Sequence, residues 1–310
     1  MKANDLTAHV TSQIIDAIEA GAETWKMPWH ALADAGTPVS VERRPYRGFN
    51  AFWLPMVAAA NAWPSGVWAT YKAWQGHGAQ VRKGEKGTSV ILWLPVTAAS
   101  SKDAKDDETP GGPGGKTRLI ARGYTVFAAE QADNSEERVK VCRGTEQKAR
   151  NAPERITAAE EYFHAIDAVV KYGGNRACYE PAADVIRCPE LAQFTDAVSF
   201  YGTLAHEHAH WTGHASRLNR DLAHRFGTHA YAAEELIAEL AAALWCAQAG
   251  LSATPRPDHA AYLAGWLKVL RTDARALTTV ASRAQAAVDL LNKRAYPDRI
   301  TPTSREAVNA

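Results

Sequence analysis

The chain has 310 residues, of which 46% are hydrophobic and 22% are charged, and its formal net charge is +1. This length and apolar content favour two domains, and the near-neutral charge excludes a global polyelectrolyte, so any nucleic-acid surface must be local. The first residues lack the apolar core of a secretion signal, and no apolar run reaches the length of a membrane span, so we expect a cytoplasmic protein that does not enter membranes.

The first domain is predicted over residues 1–135 and opens with an amphipathic helix that ends near Gly21. Mixed short elements follow. Two strand-like segments, 89–96 and 117–127, flank a polar stretch rich in Gly and Pro. We interpret them as a hairpin with a flexible loop at about 99–117, because this stretch has almost no apolar side chains to bury.

A polar segment without sustained periodicity, 136–155, predicts a linker to a mainly helical second domain, 156–310. The fold class is therefore α+β. The four cysteines show no C-x-x-C spacing, so we expect free thiols and no disulfide framework. The elements predicted in the second domain are a helix at 157–173, a two-stranded ribbon at 177–189, and helices at 197–212, 230–249 and 258–292.

The segment 204–210, LAHEHAH, contains H-E-x-x-H. Residues four apart lie on one face of a helix, so His206 and His210 can bind one tetrahedral Zn²⁺. Glu207 then lies beside the ion and can accept a proton from water as the catalytic general base. His208 points away from such an ion, towards the surface or into packing. The alternative is a helix that carries three histidines by chance, and a third ligand decides between the two.

A third ligand is available on the Ala- and Leu-rich helix around 231–250. Glu235 and Glu239 share an otherwise apolar stripe, where carboxylates are costly to bury unless they pair or bind metal. We expect Glu235 to be the ligand and Glu239 to hold a ligand histidine by its other ring nitrogen. The reverse assignment and a solvated face are the alternatives. His214 is a rival, but the metzincin pattern requires histidine at position 216 and a later methionine, and the chain has neither.

Residues 42–93 carry seven basic residues against two acidic ones, interleaved with aromatic residues. Positive charge tracks a phosphate backbone and aromatic faces stack on unpaired bases, which predicts binding of single-stranded DNA. The alternative is that the tryptophans form the core. The residues that this composition singles out for DNA binding are Arg43, Arg44, Tyr46, Arg47, Trp53, Tyr71, Lys72, Trp74, Arg82, Lys83 and Lys86.

The segments PYRGFNAFWL (45–54), 68–93 and VFAAEQ (126–131) resemble the N-terminal domain of ArdC-type plasmid anti-restriction proteins. Segments 177–222, 231–246 and 259–270 resemble the zincin-like domain of the same family. The resemblance implies a single-stranded DNA-binding domain beside a metallopeptidase-like domain, and it adds Asn50 and Thr70 to the DNA-binding residues. It also implies a role in shielding incoming plasmid DNA from host restriction endonucleases during conjugation.

Three activities are compatible with this sequence. The first is DNA masking, with single-stranded DNA preferred over duplex. The second is an active zinc metallopeptidase that cleaves a host restriction enzyme subunit or a DNA-associated protein. The third is a nuclease, which is disfavoured because His₂Glu suits Zn²⁺ whereas nucleases use oxygen-rich Mg²⁺ sites. We expect masking and one divalent ion, zinc, with manganese as the alternative.

Overall fold

The computed structural model describes residues 37–96, 118–143, 152–220, 229–251 and 276–297, with isolated positions at 8–19, 222 and 266–271. The described positions within 8–19 are helical, as the sequence predicts, whereas Gly21 and the loop at 99–117 lie outside the described residues. Helices and short mixed sheets build two units, which confirms the predicted α+β class.

The first unit contains a four-stranded sheet in the order β1-β2-β5-β4 and a small β3-β6 pair. The predicted hairpin is present, since β4 and β5 pair antiparallel from Thr88 opposite Val126 to Val96 opposite Arg118. The elements of this unit are β1 (Val39–Ser40), α1 (Phe49–Ala60), β2 (Val67–Ala69), α2 (Tyr71–Gly76), β3 (Gln80–Val81), β4 (Thr88–Val96), β5 (Arg118–Ala128), β6 (Ala132–Asp133) and α3 (Glu136–Arg143).

Helix α3 lies within the segment 136–155 that the sequence predicts to be a linker, so residues 136–143 of that segment are helical. None of its residues is fully buried, and polar contacts hold it to the first unit. Arg143 donates from Nε to the Ser65 carbonyl at 2.7 Å, and Arg138 donates to the Val41 carbonyl. The helix was missed because it lacks the apolar stripe that sequence periodicity detects.

The second unit contains α4 (Ala152–His164), β7 (Val169–Tyr172), β8 (Cys178–Glu180), β9 (Val185–Cys188), α5 (Ala197–Thr212), α6 (His229–Ala249) and α7 (Ala276–Ala295). The predicted ribbon is the antiparallel pair of β8 and β9, and β7 adds to β9 in parallel. The predicted helix at 157–173 is wrong beyond residue 164, because the β-branched residues of β7 pair with β9 instead of continuing the helix.

Helices α5, α6 and α7 pack against one another around buried side chains such as Leu204, Leu236 and Val288. The same core continues into the first unit through α1, which contacts α7. At this junction Arg47 pairs with Asp289. Within the described part of the chain, no helix combines the length and apolarity needed to cross a membrane.

Candidate metal centre and DNA-binding surface

Helix α5 carries the H-E-x-x-H segment and lies against both α6 and the β8–β9 ribbon. Its first turn is fixed by Asp196, whose carboxylate accepts a hydrogen bond from the Ser199 amide at 2.7 Å. The helix runs over the predicted residues 197–212. Its middle turns are buried, including His206, Glu207 and His208, so the motif faces the interior rather than solvent.

Three ligand-type side chains meet between α5 and α6. The Nε2 atoms of His206 and His210 are 3.1 Å apart. The Glu235 carboxylate lies 3.5 Å from His206 Nε2 and 3.6 Å from His210 Nε2. Ligand atoms about 2 Å from a tetrahedral ion are separated by about 3.3 Å, so this spacing fits a single divalent ion. Among the described residues, these three form the cluster with metal-ligand geometry.

Glu235 and Glu239 are both buried on α6, so they do not form the solvated face weighed as an alternative. Burial would raise the pKa of Glu235, but the hydrogen bond from His206 and the charges of both histidines lower it to about 2. The carboxylate is therefore ionised at neutral pH, as a ligand must be. Glu239 lies 3.4 Å from His206 Nδ1, the ring nitrogen that faces away from the cluster.

His210 has a second carboxylate partner that the sequence analysis missed. Glu234 lies 3.2 Å from His210 Nδ1 and accepts two hydrogen bonds of 2.9 Å from Arg220. Arg220 also donates to Thr212 Oγ1 and to the Ala209 carbonyl, at 2.9 and 2.7 Å. Burial would raise the pKa of Glu234, but His210 and Arg220 together lower it. The network keeps an ionised carboxylate against His210 and fixes the orientation of its ring.

Glu207 is only 3% exposed and lies beside His206 on α5. It also lies close enough to β8 for its negative charge to act on Cys178. Burial first, and the charge of Glu207 second, raise the pKa of the Cys178 thiol. Glu207 is therefore a buried carboxylate next to the cluster residue His206 and near the edge strand β8.

The other two histidines of this region lie outside the cluster. His208 is fully buried in the core, with Nδ1 2.8 Å from the Leu204 carbonyl and its ring 4.7 Å from that of Phe163. The sequence left two positions open for His208, and the structure places it in the packed core rather than at the surface. His214 lies past the end of α5, where its Nδ1 is 2.8 Å from Ser216 Oγ.

Four of the predicted DNA-binding residues have structural roles. Trp74 is 0% exposed and donates to a backbone carbonyl of β5, and Trp53 donates to one of β4. The Asn50 amide donates to the Ile91 carbonyl and accepts from the Ile91 backbone nitrogen, so it satisfies the backbone of β4 as a neighbouring strand would. Thr70 caps α2. The tryptophans at these positions belong to the core, which was the alternative interpretation.

Two of the predicted arginines are paired within the protein. Arg47 pairs with Asp289 on α7. Arg82 donates to Glu85 at 2.7 Å and lies 3.5 Å from Asp133. These arginines contribute less free positive charge than the sequence count implies, because their partners are carboxylates.

The remaining predicted contacts are side chains exposed to solvent or partly buried. Tyr71 and Lys83 line an open cavity of about 560 Å³ between α2 and the turn at 82–86. The Tyr71 ring is 42% exposed and meets Phe127 edge to face. Tyr46 is partly buried in a second cavity. The predicted residues that are exposed in the structure are Arg43, Arg44, Tyr71, Lys72, Arg82, Lys83 and Lys86, of which Arg82 is paired with carboxylates.

Two known protein families match successive parts of the chain. Residues 4–127 match the family described as the N-terminal domain of anti-restriction factor ArdC. Residues 157–283 match the family described as zincin-like metallopeptidase. The fold and the site therefore define a protein with an anti-restriction N-terminal domain followed by a zincin-like domain.

Solved structures and full-length relatives narrow this class. The metal-free crystal structure of antirestriction ArdC protein from R388 plasmid is 36% identical, with a TM-score of 0.76, over 96% of this chain and 100% of that chain. The Mn(II)-bound structure of the same protein is 33% identical, with a TM-score of 0.74, over 94% and 99%. An uncharacterized Sinorhizobium fredii protein, y4eC, is 43% identical over 93% of this chain and 92% of its own.

The chain belongs to the ArdC antirestriction family. DNA primase TraC from Escherichia coli also matches, with 36% identity over 85% of this chain, but the match spans only 18% of the primase. The predicted family is thus confirmed. The Mn(II)-bound relative and the three-residue cluster together support one divalent metal.

Proposed function

We propose that the protein binds single-stranded DNA through its first domain and thereby shields incoming plasmid DNA from host restriction endonucleases during conjugation. The observation that carries this proposal is the exposed lysine set around α2 and the turn at 82–86. Lys72, Lys83 and Lys86 have no ion-pair partner among the residues that the structure describes, and Tyr71 presents an open ring beside them. Unpaired ammonium groups and an accessible aromatic face are what a single strand needs for its phosphates and its bases.

In this proposal the metal centre stabilises the second domain. His206, His210 and Glu235 hold the ion, Glu239 and Glu234 orient the two histidines, and Arg220 holds Glu234. Zinc is the expected ion, with manganese as the alternative. Ion binding to the folded state adds to the free energy of unfolding, because the unfolded chain does not preserve the site.

The DNA-binding proposal is tested by replacing Lys72, Lys83 and Lys86 together with alanine. Loss of three phosphate contacts should weaken binding of a labelled oligothymidylate and reduce the slope of log affinity against log salt by about 2. The measurement is fluorescence anisotropy at several salt concentrations. A control variant in which the exposed Lys171 and Lys293 of the second domain become alanine should bind as the unmodified protein does. An unchanged slope in the triple variant would remove these lysines from the binding surface.

A second candidate function is a metallopeptidase acting on a host restriction enzyme subunit or another DNA-associated protein. It is favoured by Glu207, a buried carboxylate next to His206 and close to the edge strand β8. A divalent ion bound there would polarise a peptide carbonyl and lower the pKa of water. Glu207 would accept the proton from that water and pass it to the leaving amine. In this case DNA binding would serve to bring the peptidase to its target.

A further inference from the structure

A second cavity in the first domain, of about 280 Å³, is separate from the cavity lined by Tyr71 and Lys83 and from the candidate metal centre. It lies between the loop at 42–47, the start of α2 and one face of the β4–β5 hairpin. Val90 and Tyr124 are register partners on this face. Two small residues at the β2–α2 junction, Ala69 and Ala73, leave the space open.

The cavity walls offer apolar and aromatic surface with few uncommitted polar groups. Tyr46 and Tyr124 contribute aromatic rings. Burial raises the pKa of Tyr46 above its usual range, so its hydroxyl is neutral at physiological pH. Both polar ends of the Asn50 amide are engaged by the backbone of Ile91. Such a wall accepts a flat apolar ring and does not distinguish one hydrogen-bonding pattern from another.

The rim of the cavity carries two arginines beside one carboxylate. Glu42 is the carboxylate that lines it, 2.7 Å from His77 and 3.8 Å from Arg138. The hydrogen bond to His77, with the charges of Arg138 and Arg44, lowers the pKa of Glu42, so it is ionised at neutral pH. Arg44 lines the rim and Arg43 precedes it in the same tight turn, and both side chains are exposed. A ligand that combines a flat ring with a negative charge is complementary to this arrangement.

We infer that this cavity receives one unstacked nucleobase of a single-stranded DNA, with the adjoining phosphate at Arg43 and Arg44. The inference rests on the proposed DNA binding and adds a base site to it. A volume of 280 Å³ lies at the lower end of ligand pockets, at roughly 300 Å³, so it suits one ring system and excludes a duplex. Because the wall has few free hydrogen-bonding groups, the site discriminates little between bases, and stacking and apolar contact are the source of affinity.

The test compares an oligothymidylate of about 12 nucleotides with an abasic strand of the same length. The unmodified protein should bind the base-containing strand at least about 5-fold more tightly, because each stacked base contributes ~1–3 kcal/mol and the Tyr71 ring offers a further stacking surface. Tyr124→Ala removes one wall and Ala73→Phe fills the cavity. Each should lower affinity for oligothymidylate towards the abasic value and leave abasic binding and the salt slope unchanged.

Tyr172→Ala is the matched control, since this tyrosine is 56% exposed on β7 of the second domain. Thermal unfolding of each variant checks that it is folded. As a second readout, an oligonucleotide carrying 5-iododeoxyuridine should crosslink on irradiation to Tyr46 or Tyr124 of the unmodified protein. Wild-type affinity in both pocket variants, or crosslinks confined to other residues, would overturn the base site. Failure of the unmodified protein to bind either strand would instead overturn the proposed DNA binding itself.

Discussion

At the scale of single residues, helical spacing predicts which side chains share a face in the cluster of His206, His210 and Glu235, but not all of the groups that contact them. His206 and His210 are one turn apart, and Glu235 and Glu239 are one turn apart, so each pair's common face follows from sequence. Glu234 did not stand out, because its role depends on Arg220, which lies outside both helices. A charge pair made across a loop leaves no periodic signal, so the hydrogen bond to His210 became visible only in the structure.

The network around His210 leads to a prediction at this scale. Glu234→Gln should weaken metal binding by about 10-fold to 100-fold, because a neutral amide orients and polarises the imidazole less well than a carboxylate. Glu235→Ala should abolish stoichiometric binding. Calorimetric titration with Zn²⁺ and Mn²⁺ measures both. Glu161→Gln, an exposed change on α4, is the control. Unaltered affinity in Glu234→Gln would exclude Glu234 from supporting the site.

At the scale of elements, the sequence predicts the helices and strands that have a strong local pattern. It does not predict those whose formation depends on contacts with residues distant in sequence. The limits of α5 follow from Asp196 as a cap and from a sustained helical pattern. The long β4–β5 hairpin follows from two β-rich segments around a polar loop. Helix α3 escapes prediction because only Val139 and Cys142 pack on the core, and arginine hydrogen bonds provide its other contacts. Strand β7 was taken for helix because its pairing with β9 depends on residues distant in sequence.

The contact between the β8–β9 turn and the end of α5 predicts an acid-dependent stability. Asp184 accepts hydrogen bonds from Arg217, which also lies 3.9 Å over the Trp211 ring. The hydrogen bond from Arg217, with help from Tyr179, lowers the pKa of Asp184 to about 2. A lowered pKa in the folded state stabilises the protein above the unfolded pKa, about 3.9, and that stabilisation is lost as pH falls towards 2.

Asp184→Asn should therefore lower the urea midpoint at neutral pH, and the difference from the unmodified protein should shrink as pH falls from about 4 towards about 2. Glu161→Gln, an exposed change on α4, serves as the control for a general charge effect. A midpoint difference that is independent of pH over this range would contradict the assignment of a lowered pKa to Asp184.

At the scale of the whole molecule, the two units share one core, and the loop at 42–47 of the first unit contacts helix α7 of the second. Arg47 pairs with Asp289, and the Gly48 amide donates to Gln285 on the same helix at 3.1 Å. The sequence assigns Arg47 to DNA, because it does not reveal which carboxylate lies opposite a given arginine. The charge left for DNA consequently lies around α2, at the turn at 82–86 and on the exposed Arg43 and Arg44.

Plasmid protection by a Glu207→Gln variant is the measurement that most directly distinguishes DNA shielding from peptidase activity as the source of protection. A plasmid that lacks protective methylation is transferred into cells that carry a restriction endonuclease, and surviving transconjugants are counted. If protection arises from DNA binding, Glu207→Gln should protect as fully as the unmodified protein, and the triple lysine variant should not protect. Loss of protection by Glu207→Gln, in protein that still binds DNA and metal normally, would contradict shielding and establish that the carboxylate's chemistry is required.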